Sequence, residues 1–283
     1  MTAIIIDGKQ IAAQIEQKLK TRVAKLKKHN ITPRLGVVCV GNDRPSQTYI
    51  RKKQEAALRV GVDFMLFKYP STISRANLVN EIKTIQAKNK LTGLIIQLPL
   101  PEKLYCGDVL NAVSTDIDVD CLTDANIGKL VMRSNVIYPP TPASVMEIIK
   151  TIELEVAGKN ITLVGTGSLV GKPLAIMLMN EGASVTTCNS RTQNIRQKTL
   201  SADIIVTGVG RKDLLRGDMI KRGAVVIDTG ICFENGKMYG DCNREEMIKK
   251  ASDYSPTPGG VGPVTVTKLL ENVISCAERM GKV

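Results

Sequence analysis

The chain has 283 residues, 43% of them hydrophobic, which supports a sizeable core and two domains. One histidine, His29, excludes a multi-histidine metal site and leaves a Ser-His-Asp or Cys-His machine a single residue to rest on; seven scattered cysteines with no C-x-x-C argue against a disulfide frame, and the thiols read as reduced small hydrophobes of a cytosolic protein. The net charge of +12 comes with scattered lysines and only 3% aromatics, so it suits a small anionic substrate or a phosphate-bearing cofactor better than nucleic acid, and no run approaches the roughly 20 apolar residues of a membrane helix.

The apolar opening meets charge at Asp7, which argues against a signal peptide. Ile11, Ile15, Leu19, Val23 and Leu26 recur at helical spacing and predict an amphipathic helix over 8–29. Residues 35–40 read as a buried strand, 41–45 as a turn, and 46–60 as a helix closed by Gly61. A strand over 63–69, a helix over 74–87 with Ser74 as N-cap, and a strand over 94–98 follow. Alternating strands and helices predict βαβ units and a parallel sheet. A short helix to Met132 comes next, and the prolines of 138–142 mark the expected domain link. A helix covers 143–152.

The run Ile161-Thr-Leu-Val-Gly165-Thr-Gly167-Ser-Leu-Val-Gly171 reads as strand, glycine turn and helix. Glycines there let backbone approach a ligand, and a helix N-terminus offers free N–H groups to an anion. The spacing G-x-G-x-x-x-G departs from the usual dinucleotide fingerprint, and a glycine-rich turn can also be plain loop chemistry. Strands over 184–187, 204–207 and 225–228 complete a second βαβ series, the candidate dinucleotide fold. A stiff loop over 256–263 leads into a closing helix over 265–280, free to pack back on the first domain.

Among candidate chemical groups, Tyr49 and Lys53 stand one helical turn apart on one face. A lysine there serves as acid or base if burial lowers its pKa, although such pairs are also common on exposed helices. Gln97, inside the apolar 94–98 run, is either a satisfied structural amide or an active-site group at a strand's C-terminal end. Asp116, Asp118 and Asp120 share one side if their segment is extended. That fits a carboxylate reading a ligand, a solvated turn, or a metal site lacking the rest of an EF-hand pattern. After the 184–187 strand there is no Asp or Glu for ribose hydroxyls; Ser190 and Arg191 suit a 2′-phosphate, which points to NADP, or form an ordinary exposed turn.

In this order Ile6-Asp-Gly-Lys9, Ser46-Gln-x-Tyr49-x-x-x-Lys53, Gln97-Leu-Pro-Leu-Pro101, Asp118-Val-Asp120, Pro140-Thr-Pro142, the glycine turn, Ile227-Asp-x-Gly-Ile231 and Pro258-Gly-Gly-Val-Gly-Pro263 form a signature. Over nearly its whole length the chain resembles the bifunctional methylenetetrahydrofolate dehydrogenase/cyclohydrolase family. The resemblance implies an α/β fold of two domains: a parallel-sheet catalytic domain over 1–139, with helix 265–283 returning to it, and a Rossmann-type NADP-binding domain over 140–264, with the active site in the cleft between them. It implies oxidation of 5,10-methylenetetrahydrofolate with NADP and hydrolysis of the methenyl product to 10-formyltetrahydrofolate. Lys53 would be the central catalytic group, Gln97 would tune it, Tyr49 would stack on the folate and Asp120 would anchor the pterin. Ile96, Leu98, Pro258, Gly259, Gly260, Val261 and Gly262 would complete the folate site; Gly165, Thr166, Gly167, Ser190, Arg191 and Ile231 would hold NADP. No metal is implied. The resemblance further implies a cytoplasmic homodimer that takes folate substrate, polyglutamylated or not, and serves one-carbon metabolism and purine biosynthesis.

The chain departs from the family pattern at Cys121, Lys129, Thr166, Gly167 and Asn189. Rival readings are a dehydrogenase without hydrolase activity, an NAD(P)-dependent dehydrogenase of another small substrate such as a shikimate-type alcohol, and a nucleotide- or nucleic-acid-binding protein.

Overall fold

The computed structural model describes residues 2–282, save the side chains of Arg44 and Pro45. In chain order the elements begin β1 (Ile4–Ile5), α1 (Gly8–Lys28), β2 (Arg34–Val40), α2 (Arg44–Val60), β3 (Asp63–Tyr69), α3 (Arg75–Lys88), β4 (Gly93–Ile96), α4 (Gly107–Leu110), α5 (Asp124–Val131) and α6 (Pro140–Thr151). They continue with β5 (Asn160–Val164), α7 (Gly171–Asn180), β6 (Ser184–Cys188), α8 (Ile195–Leu200), β7 (Ile204–Thr207), β8 (Val225–Asp228), β9 (Cys232–Glu234), β10 (Lys237–Tyr239), α9 (Arg244–Lys250), β11 (Asp253–Ser255) and α10 (Val261–Gly281). The chain divides into two compact units, one of residues 14–140 with 266–283 and one of residues 1–13 with 141–265.

The first unit holds a three-stranded parallel sheet in the order β3-β2-β4. Central β2 is buried along nearly its whole length, as a parallel strand covered on both faces must be. Leu78, Ile82 and Ile85 recur along α3 at helical spacing and pack with Val38, Leu94 and Ile96. Asp43 and Gly61 cap α2: the Asp43 carboxylate accepts the Ser46 N–H, and Gly61 turns left-handed at φ +91°. These caps, with Ser74 capping α3, fix where each helix leaves the sheet.

The second unit holds a six-stranded parallel sheet in the order β1-β11-β8-β7-β5-β6, with β9 and β10 as a separate hairpin. From β5 the chain runs first to β6 on one side and then to β7 on the other. The strand order therefore reverses at β5, and in open parallel sheets ligands bind outside the carboxyl end of such a switch point. Val164, Ala202, Ile205, Leu215, Val226, Met247 and Tyr254 belong to its core.

Five expectations need correction. Residues 1–13 join the six-stranded unit, not the first domain: β1 pairs with β11, and the Gly8 N–H donates to the Gly259 carbonyl at 3.0 Å. The 94–98 strand stops at Ile96, so Gln97 lies just past it, although its N–H still bonds the Val38 carbonyl at 2.8 Å. The 138–142 prolines do not all stand outside helix; α6 starts at Pro140, because a first-turn proline lacks only an N–H that has no partner there anyway. The 116–120 segment is not extended. Asp118 folds it back by accepting the N–H groups of Leu122 and Thr123, the Thr123 hydroxyl and the Asn126 amide, all at 2.7–3.1 Å. Asp116 faces Arg279 instead, so the three carboxylates share no side. The closing helix also begins earlier than expected, at Val261.

Candidate functional site

In the three-stranded unit, α2 sets Tyr49 and Lys53 one turn apart, and β4 delivers Gln97 at its carboxyl end. The Lys53 ammonium donates to Gln97 Oε1 at 3.0 Å. The Gln97 amide donates in turn to the Leu98 carbonyl at 2.6 Å, which orients its oxygen toward the lysine. Ile96 is buried at the strand end and Leu98 is half-buried just beyond Gln97. Burial pushes the Lys53 pKa down, and the nearby Asp120 charge pulls part of it back. Burial likewise pushes the Asp120 carboxyl up, opposed by Lys53 and reinforced by Asp118. Burial thus favours the neutral form of both groups, and it makes Lys53 a readier proton donor than an ordinary lysine. The Tyr49 hydroxyl is buried without a hydrogen-bond partner, and burial raises its pKa.

Two further residues support this group, of which the sequence singled out only the first. Asp118 organises the turn that carries Asp120. Asn272 of α10 donates to the carbonyls of Val119 and Tyr138 at 2.8 and 2.7 Å, pinning the backbone next to Asp120. A polar residue inside a helix pattern, such as Asn272, looks like surface in sequence; only its distant partners show otherwise.

In the six-stranded unit, Gly165 leaves β5 at φ +121°. A Cβ on Gly165 would lie 2.5 Å from the Gly208 carbonyl oxygen, and one on Gly171 would lie 2.0 Å from that of Gly165. These two glycines let strand, turn and helix close on each other. A Cβ on Gly167 would meet nothing within 4 Å, so the turn leaves open room before the N-terminus of α7. Thr166 is half-buried in the same turn. Past β6, Asn189, Ser190 and Arg191 form an exposed turn in which the Arg191 N–H donates to Asn189 Oδ1 at 2.9 Å. Ile231 is 43% exposed, and Val209, which the sequence reading missed, is 52% exposed beside Gly165. Pro258 is exposed after a cis Thr257–Pro258 bond, and Gly259 turns left-handed at φ +109°. Gly260 packs so closely under Gly8 that a Cβ on Gly8 would meet its carbonyl oxygen at 1.7 Å. Val261 and Gly262 open α10.

Sequence models of the tetrahydrofolate dehydrogenase/cyclohydrolase family match the chain in two parts, the catalytic domain at residues 6–120 and the NAD(P)-binding domain at residues 139–281. The chain belongs to the tetrahydrofolate dehydrogenase/cyclohydrolase family. The bifunctional protein FolD of Bacillus subtilis is 41% identical over 280 residues, covering 99% of both chains. The solved methylenetetrahydrofolate dehydrogenase/cyclohydrolase of Campylobacter jejuni superposes with a TM-score of 0.95 at 35% identity, covering 98% of this chain and 99% of that one. The corresponding enzyme of Trypanosoma brucei, solved with NADP and an inhibitor, superposes with a TM-score of 0.96 at 32% identity over 100% of both chains.

The residues of this tetrahydrofolate dehydrogenase/cyclohydrolase fit the NAD(P) group that the family implies. The switch point at β5, the space over Gly167 and the exposed apolar Val209 and Ile231 supply room, backbone donors and a face for a flat ring. Among the described residues no helix is long and apolar enough to cross a membrane.

Proposed function

We propose that this bifunctional enzyme oxidises 5,10-methylenetetrahydrofolate with NADP and hydrolyses the 5,10-methenyl product to 10-formyltetrahydrofolate. The observation that carries the hydrolytic half is the desolvated Lys53 bonded to Gln97 beside Asp120. Bound at Gly165, Thr166, Gly167, Ser190, Arg191 and Ile231, NADP supplies the hydride acceptor. The chain's own task in that half is orientation, because the two nitrogens flanking the bridging carbon already stabilise the cation left behind. Tyr49 stacks on the folate, Asp120 holds the pterin, and Ile96, Leu98 and Pro258 to Gly262 line the remaining substrate surface. Ser190 and Arg191 favour the 2′-phosphate of NADP, since no carboxylate stands there to claim the free ribose hydroxyl of NAD.

Hydrolysis needs a proton taken from the attacking water and one delivered to the departing ring nitrogen. Lys53, whose pKa burial lowers from that of an ordinary lysine, gives up its proton more readily and is the group placed to take the water's proton and return one to the ring nitrogen. Gln97 keeps its amine aimed, and Asp120 limits how far its pKa falls. A cytoplasmic homodimer acting on folates, including polyglutamylated ones, and feeding purine biosynthesis completes the reading.

The test is a spectroscopic assay with 5,10-methylenetetrahydrofolate and NADP that follows reduced cofactor and the methenyl chromophore separately. NADPH formation followed by methenyl decay faster than in buffer supports both activities. Persistence of the methenyl signal removes the hydrolase half, and absence of NADPH removes the cofactor assignment.

A further inference from the structure

We propose that Asp241, backed by Asp228, is a positioning residue for cofactor binding; the inference rests on the NADP reading above and deepens it. Asp241 lies outside every motif of the signature, Asp228 stands within Ile227-Asp-x-Gly-Ile231 with no role assigned to it, and both are fully buried. Asp241 Oδ2 accepts the Val209 N–H at 2.7 Å, and its Oδ1 accepts those of Gly210 and Arg211 at 2.8 and 2.7 Å. One carboxylate thus holds three consecutive backbone donors. Asp228 accepts the N–H groups of Gly230, Asp241 and Cys242 at 2.9–3.0 Å and the Thr207 hydroxyl at 3.1 Å. The two acids form a chain in which Asp228 fixes the backbone of Asp241, and Asp241 fixes the loop after β7.

Two glycines exist to admit them. A Cβ on Gly230 would stand 2.1 Å from Asp241 Cγ, and one on Gly240 would stand 2.1 Å from Asp228 Oδ2. Burying two carboxylates is an expensive way to stabilise a fold, since apolar packing of similar volume does as well or better. What carboxylates supply is geometry: charge-assisted bonds to backbone set a loop's conformation tightly. The loop they set lies at the switch point. Its Gly208 carbonyl touches Gly165, its Val209 side chain flanks the glycine turn, and Gly230 leads directly to Ile231. Asp241 therefore reaches the cofactor surface through backbone without touching it.

In Asp241→Asn, either rotamer places an amide donor against a backbone donor. We expect its calorimetric Kd for NADP to rise about tenfold or more. Val209, Gly210 and Arg211 amides should exchange faster by NMR, while hydrolysis of methenyltetrahydrofolate in the absence of NADP keeps its wild-type rate. Thr207→Val, which removes one bond to Asp228 and leaves the volume, should raise Kd by about two- to threefold and serves if Asp241→Asn does not fold. Met247→Ala, a cavity in the same core, should lower Tm and leave Kd unchanged. The proposal is overturned if folded Asp241→Asn, or Thr207→Val in its place, binds NADP as wild type does, or if Met247→Ala weakens NADP as much at equal loss of Tm. If wild type binds NAD but not NADP, the cofactor reading fails, and with it the inference.

Discussion

The two units solve opposite problems. In the three-stranded unit, side chains carry the chemistry: Lys53, Gln97 and Asp120 sit close together, and burial sets their charge states. In the six-stranded unit the backbone carries it. There the useful features are a turn without side chains at Gly165, Gly167 and Gly171, and carboxylates that hold loops in place. Side-chain sites fail when a functional group is removed, whereas backbone sites fail when an atom is added. The two activities of this enzyme should therefore come apart under substitution.

The largest effect expected is on hydrolysis. Lys53→Met removes the proton carrier, and methenyl hydrolysis should fall by about three orders of magnitude, measured as loss of the methenyl chromophore. Gly171→Ala adds a single carbon against the Gly165 carbonyl. It should cost about 1–3 kcal/mol of stability and weaken NADP about tenfold, read by thermal melting and cofactor titration. Arg191→Ala should lower catalytic efficiency with NADP by about tenfold and leave that with NAD unchanged. Equal losses with both cofactors would remove Arg191 from the 2′-phosphate.

A pH profile sharpens the side-chain half. If neutral Lys53 is the reactive form, hydrolysis rises with pH through a pKa below that of an ordinary lysine. The Asp120 charge raises that pKa, so Asp120→Asn should move the rising limb to lower pH. A limb that stays put or moves alkaline would separate Asp120 from Lys53. The smallest effect expected is Tyr49→Phe: its hydroxyl has no partner, so Tm should hold or rise slightly, within about 0.5 kcal/mol, while the ring remains to stack.

The difference between the units also explains what could be read from the sequence. β2 and the first turns of α7 announce themselves as apolar runs beside glycine, because burial forces that composition. Tyr49 and Lys53 declare their shared face through helical spacing. β1 and the β9–β10 hairpin do not: two- and three-residue strands leave too short a pattern, even with Asn235-Gly236 at the turn. Asp241 and Asn272 read as surface residues, since the donors and acceptors that bury them come from distant segments. Pro140 shows the converse failure: a proline that stops one helix and a proline that starts another look alike in sequence.

The most direct test places Lys53→Met and Gly171→Ala side by side in one assay that records NADPH and the methenyl chromophore at the same time. Lys53→Met should lose accelerated methenyl decay, and Gly171→Ala, at sub-saturating NADP and with added methenyltetrahydrofolate, should form NADPH about tenfold more slowly while hydrolysing normally. Wild-type hydrolysis by Lys53→Met would contradict the proton-carrier role, and parallel loss of hydrolysis in Gly171→Ala would contradict the separation of the two sites.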